Sequence, residues 1–238
     1  MAGPAGSRRA FFDLHCHTSF SFDSLARPRD QVRAAAASGL THLAITDHDR
    51  IDGALEARDH APDGLTVIVG EEVKTADGDL ICLFLERPLA PGRPAIETIA
   101  AAREQGGLVG VPHPFDRYRN SLLRTASLTS FVGLIDWVET WNARVVGRSG
   151  NEQATDFALE HHLPGVAVSD AHSTLEVGVA YNIVEGAVPS TAEGLLLALS
   201  KLELVPGRAS YFVRGLTPIA KGINRVRGNV RVRPTITP

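Results

Sequence analysis

Along this chain short apolar runs alternate with longer segments whose apolar positions recur every three or four residues. The runs "AFFDLH", "THLAIT", "LTVIVG", "LICLFL", "GLVGVP", "LIDWVE" and "GVAVS" are apolar on nearly consecutive positions, as strands buried on both faces are. The segments "RPRDQVRAAAASG", "AIETIAAAREQGG", "NEQATDFALEHH" and "STAEGLLLALSKL" read as helices, two of them closed by glycine. Such strands separated by helices predict parallel βαβ units. Seven of them predict an α/β fold in the form of a closed or nearly closed β/α barrel rather than an open sheet.

Composition adds boundaries to that picture. With 238 residues, 44% apolar and 21% charged, the chain can bury a sizeable core. It has no apolar run near the roughly 20 residues that span a bilayer, and no apolar stretch follows Arg8 and Arg9 to make a signal peptide. Two cysteines, Cys16 and Cys82, argue against a disulfide framework and for a reducing, cytoplasmic setting. Charge is uneven. Residues 208–238 hold seven of the 24 basic residues and no acid. They are read as a basic C-terminal extension beside a β/α-barrel domain at 1–207. Such a tail suits nucleic acid or phosphate-rich surfaces. Without interleaved aromatics it reads rather as a solvated extension packed on the acidic body.

In β/α barrels the working residues sit at the C-terminal ends of the strands. Five of the nine histidines, with several acids, fall at the ends of the apolar runs: His15 and His17; Asp47, His48 and Asp49; Glu71 and Glu72; His113; Glu139 and Asn142; Asp170 and His172. Each short motif is weak alone; the joint pattern is the signal. Residues i and i+2 of a strand point the same way, roughly 7 Å apart at the backbone, so His15 and His17 can lean onto one ion, as can Asp170 and His172. Cys16 then faces the other way and packs. Mixed imidazole and carboxylate donors suit zinc, iron or manganese.

In this order, "DLHCHTSFSFD", "TDHD", "GEE", "PHP" and "SDAH" resemble the PHP (polymerase and histidinol phosphatase) superfamily of metal-dependent phosphoesterases, over about residues 11–173. The resemblance implies a distorted seven-stranded, TIM-like β/α barrel with two or three divalent metal ions at its C-terminal mouth. It implies a first metal on His15, His17, Glu72 and Asp170, a second on Glu72 and His113, and a third on Asp23, His48 and His172. Many relatives place a histidine on the strand after the glutamate, where this chain has Asp79. Asp79 reads either as a carboxylate ligand to the second metal or as a turn residue. Glu71 stands as the alternative to Glu72, because alternation is silent on a strand apolar on both faces. Asp13 and Asp47 would orient imidazoles, and Arg117, Arg119 and Arg144, close after His113 and Asn142, would place forks near the mouth.

The expected reaction is hydrolysis of a phosphate ester by hydroxide held on the metals, with Asp23, His48 or His172 available to protonate the leaving group and Arg117 and Arg144 to neutralise phosphate charge. A phosphomonoester of a small metabolite or nucleotide is the expected substrate. The alternatives are a phosphodiesterase or 5'-3' exonuclease, and a metal-binding scaffold without catalysis. No membrane partner is expected.

Overall fold

The computed structural model describes residues 9–119, 130–186 and 189–231. Its strands are β1 (Arg9–Asp13), β2 (His42–Ile45), β3 (Thr66–Lys74), β4 (Asp79–Leu83), β5 (Leu108–Val111), β6 (Trp137–Asn142), β7 (Gly165–Val168), β8 (Tyr181–Glu185) and β9 (Glu203–Val205). The helices are α1 (Pro28–Ala37), α2 (Asp52–Asp59), α3 (Ala95–Arg103), α4 (Ser149–Glu160), α5 (Ala192–Leu199) and α6 (Tyr211–Val226). Hydrogen bonds link the strands into one sheet, in the order β7-β6-β5-β4-β3-β2-β1-β8-β9.

The seven apolar runs are β1 to β7, so the barrel class holds, but among the described residues the sheet has nine strands rather than seven. The expectation of parallel units throughout also needs correction. β4 runs antiparallel to both β3 and β5, and β8 antiparallel to β1 and β9. The reason at β4 is length. Only residues 75–78 join β3 to β4, too few for the crossover a parallel pair needs. Thr75 instead closes the turn, with its N–H and Oγ1 donating to the Gly78 carbonyl at 2.8 and 2.5 Å.

The two faces of the sheet bury different layers. Leu43, Ile45, Val67, Val69, Cys82, Val109 and Val138 face outward onto Val32 and Ala35 of α1, Ala54 and Ala57 of α2 and Ile99 and Ala102 of α3. Phe12, Ala44, Ile68, Ile81, Leu108, Trp137, Val166 and Val184 fill the interior, plugged by Leu195 and Leu199 of α5. Gly110 is part of that plug. A Cβ there would lie 2.0 Å from the Trp137 ring, so only glycine lets the indole into the barrel.

Closure between β7 and β1 is made by side chains together with one backbone bridge, Cys16 to Ala171. Asn182 on β8 accepts from the Ala167 N–H at 2.8 Å and donates to the carbonyls of Ala167 (2.7 Å) and Phe12 (3.2 Å). Asp13 accepts from the Ser169 N–H at 3.1 Å and from its hydroxyl, and the His17 N–H donates to the Ala171 carbonyl at 2.8 Å. The seam between first and last parallel strands is therefore polar, and it lies just below the mouth.

Two helices escaped the sequence pattern. α2 is eight residues long. α6 carries Gly215, Pro218 and Gly222 and lies in the segment read as an extension. Proline removes one intrahelical hydrogen bond; tertiary contact overrides it, with Val213, Ala220 and Asn224 buried. Of the basic residues there, Arg233 lies outside the described residues, as do residues 1–8. No helix among the described residues is long and apolar enough to cross a membrane.

Candidate metal centre

The strands deliver their polar ends to one pocket. A bend at Leu14 turns His15 and His17 inward, while Cys16 stays outward, packed with the helix layer as expected. On β3, Ile68, Gly70 and Glu72 share the inward face. Glu71 faces out, where its carboxylate accepts the Leu89 N–H at 2.7 Å and burial lifts its pKa to about 8. That register places Glu72, not Glu71, in the pocket. Asp49, His113 and Asp170 have left-handed φ angles of 57°, 28° and 53°. The chain turns abruptly after β5 and β7 to aim His113 and Asp170 at the mouth. Strained backbone of this kind clusters at functional sites.

Glu72 is the hub. Its Oε2 lies 3.3 Å from His15 Nε2, 3.3 Å from His17 Nε2 and 3.2 Å from His48 Nδ1, and its Oε1 lies 3.4 Å from His113 Nε2. Among the described residues, two sets of donors converge within 4.8 Å: His15, His17 and Asp170; and His17, Asp23, His48 and His172. His17 belongs to both. Asp23 Oδ2 stands 3.5 Å from His48 Nε2 and 3.4 Å from His172 Nε2.

Hydrogen bonding fixes which ring atoms face inward. His15 Nδ1 donates to Glu139 at 2.6 Å. Ser21 Oγ donates to Asp47 at 2.7 Å, so it accepts from His17 Nδ1 at 3.0 Å and from the His48 N–H at 3.1 Å. With both Nδ1 atoms engaged as donors, the Nε2 atoms of His15 and His17 face each other at 2.9 Å. Two imidazole lone pairs at that distance repel unless a proton or a metal ion sits between them, and with the carboxylates of Glu72 and Asp170 alongside, the donor set fits a divalent transition metal. Outer partners that fix the tautomer are what metal-bound imidazoles require.

Electrostatics point the same way. Burial alone would lower the pKa of His15 and His17. The carboxylates of Glu139 and Asp170 hold His15 well above its usual value, and hydrogen bonds to Asp170 and Glu72 raise His17 to about 9. Burial pushes Glu72 and Asp170 up, but His48 and the hydrogen-bonding histidines hold Glu72 well below the carboxylate range, and Arg119 and His15 do so for Asp170. Burial drops His48 and His172 to about 4, leaving them neutral near pH 7. The pocket thus collects negative charge that protons on His15 and His17 balance in the absence of metal. Loading an ion should expel protons and tighten as pH rises toward 9. Calorimetric titration of Mn²⁺ into stripped protein, at about pH 7.5 in buffers of different ionisation enthalpy, should register at least one proton released per chain. Heats independent of buffer would contradict this.

Beside these donors a cavity of about 320 Å³ is lined by Lys74, Arg119, Arg144, Lys221 and Arg231 as well as Asp23, His48, Glu72 and His172. Arg144 is buried, held by Glu176 at 2.8 Å and Thr217 at 2.5 Å. Arg117 does not line it: its side chain is exposed, and Arg119, two residues on, pairs instead with Asp170 and, at 3.3 Å, with Asp116. Asp79 falls outside both donor sets, with its carboxylate 2.8 Å from the Arg231 guanidinium. Asp13 receives the Ser169 and His15 N–H groups rather than an imidazole, and Asp47 reaches His17 only through Ser21. The direct orienting group is Glu139, an acid at a strand end that sequence reasoning gave no role. His42 is bonded to Thr41 and Ser190, away from the site.

A sequence model of the PHP domain matches residues 13–138, and one described as PHP-associated matches residues 148–204. The chain belongs to the PHP domain family. Two proteins of Methanocaldococcus jannaschii, both named uncharacterized, are similar. One is 34% identical over 142 residues, covering 55% of this chain and 81% of its own; the other is 31% identical over 172 residues, covering 71% and 68%. Among solved structures, a two-domain Bacteroides vulgatus protein containing a predicted PHP-like metal-dependent phosphoesterase superposes with a TM-score of 0.69. At 20% identity it covers 85% of this PHP chain and 66% of its own. That likeness places the barrel in the same fold.

Proposed function

We propose that this PHP domain hydrolyses phosphate monoesters of small metabolites or nucleotides with bound divalent metal ions, manganese, zinc or iron being the candidates. The observation that carries the reading is the convergence of four histidines on the Glu72 carboxylate beside a cavity lined by five cationic side chains. His15, His17 and Asp170 would hold one ion, His17, Asp23, His48 and His172 another, with Glu72 between them. When bound, such ions lower the pKa of water toward about 7 and so supply nucleophile at neutral pH.

The chain's own residues do the rest. Arg119 and Arg144 are preorganised by carboxylate partners and present guanidinium forks to a phosphoryl group without reorganising. Lys221, half-exposed at the rim and 3.9 Å from Asp23, can meet the charge of an incoming phosphate. Asp23 lies between His48 and His172 on the cavity wall; burial would raise its pKa, but the two imidazoles hold it well below the carboxylate range, so it stays an anionic ligand rather than a proton donor.

The test is a paired assay on chelator-stripped protein with Mn²⁺, Zn²⁺ or Fe²⁺ restored, comparing a chromogenic phosphomonoester with the matching diester. Metal-dependent release from the monoester is expected. The double variant His15→Ala, His17→Ala should abolish it and lower bound metal. Preference for the diester would move the substrate to nucleotides; unchanged metal content in the double variant would sink the ligand assignment.

A further inference from the structure

The metal donors described above leave one corner of the pocket to a different cation. Glu72 lies opposite Ile81 in the β3–β4 ladder, and Asp79 is the next inward-facing residue of β4 toward the mouth. Because β4 runs antiparallel to its neighbours, its first residue, not its last, reaches the site. Asp49 stands nearby, its carboxylate accepting the Lys74 N–H at 2.7 Å. Asp79, Asp49 and Glu72 are buried acids, and buried carboxylates are costly unless a positive group meets them. Neither donor set includes Asp79 or Asp49, and Glu72, which the histidines already meet, borders their corner.

The group that meets them is Arg231. Its guanidinium lies 2.8 Å from Asp79 and 3.5 Å from Asp49, and its side chain is only 16% exposed. The backbone holds it there. At the end of α6, Gly228 turns left-handed (φ 78°), its N–H bonding the Arg225 carbonyl at 3.2 Å, and the Asn229 N–H bonds the Asn224 carbonyl at 2.8 Å. This is the double bond of a Schellman turn. The Asn229 amide then donates to the carbonyls of Ser19, Phe20 and Ser21, and Asn224 donates to those of Ser21 and Ser24. The segment is thus clamped onto the loop that carries Asp23. Arg231 also lies 5.9 Å from the Phe22 ring centroid.

We propose that the Arg231 guanidinium is a built-in substitute for a metal ion at the corner bounded by Asp79, Asp49 and Glu72, so that this chain loads two ions and not three. The inference rests on the metal-centre reading above. A guanidinium is charged at every accessible pH and cannot be chelated away. Asp79 is accordingly the partner of an arginine, and Arg231 is a positioning residue that sets the ion count and the charge of the cavity.

Metal content decides it. After reconstitution of the full chain with excess Mn²⁺ and gel filtration, elemental analysis should give two ions per wild-type chain. Arg231→Ala should bind three, with Asp79 and Asp49 released to take the additional ion beside Glu72. Arg231→Met, which keeps the side-chain stem, should do the same and guards against misfolding of the alanine variant, as checked by thermal melts. Asp79→Asn should stay at two. Three ions in the wild type, two in both Arg231 variants, or one in Asp79→Asn would each overturn the proposal. No ion in the wild type would instead refute the metal-centre reading beneath it.

Discussion

Glu72→Gln should cost this PHP domain about three orders of magnitude in phosphomonoester turnover, roughly 4 kcal/mol at 1.36 kcal/mol per factor of ten. It should also lose most of its bound metal. The substitution keeps the shape of the side chain and removes its charge. Four histidines now meet the carboxylate within 3.2–3.4 Å; an amide would offer them one neutral oxygen and an NH₂ that repels a cation. The comparison is Glu71→Gln. That neighbour is buried on the helix side, where among the described residues it accepts the Leu89 N–H alone, so its loss should leave metal content unchanged. Elemental analysis of both variants, alongside turnover, separates the two residues. Equal metal loss in both would mean that β3 is not in the described register.

Asn182→Leu should lower stability by about 3–5 kcal/mol, and the melting temperature by about 10 °C at the 2–4 °C per kcal/mol typical of chains this long. The asparagine is fully buried and serves the Ala167 N–H, the Ala167 carbonyl and the Phe12 carbonyl together. Leucine fills similar space and serves none of them, leaving three buried backbone groups unpaired. Because His15 and His17 follow directly on β1 and Asp170 on β7, opening this seam also pulls the first donor set apart. Metal affinity should therefore fall even below the melting temperature. A melting curve and a Mn²⁺ titration at 20 °C check both halves. An unchanged curve would mean that the Asp13–Ser169 contacts and the His17–Ala171 backbone bond suffice to hold the seam.

What the sequence could disclose depended on how each residue reaches the pocket. His15, His17, His48, His113, Asp170 and His172 follow apolar runs, and a rule about strand ends finds them. The choice between Glu71 and Glu72 needed the register, since both neighbours on β3 are flanked by apolar positions. Asp79 enters at the start of an antiparallel strand, where that rule does not look; only the family resemblance marked it. Arg119 rather than Arg117 lines the cavity, and no periodicity encodes the course of the loop after His113. Glu139 stood in view at the end of β6, but its role is defined by a contact 124 residues away. α6 was hidden by its own glycines and Pro218, and with it the origin of Arg231.

The three left-handed residues at the mouth set stability against activity. At Asp49, His113 and Asp170 an ordinary side chain costs about 1 kcal/mol that glycine would not. A population of variants selected only for resistance to heat would gain by replacing them, and each gain would remove an inward-facing polar group from the centre. These positions stay polar only where something besides folding is being selected.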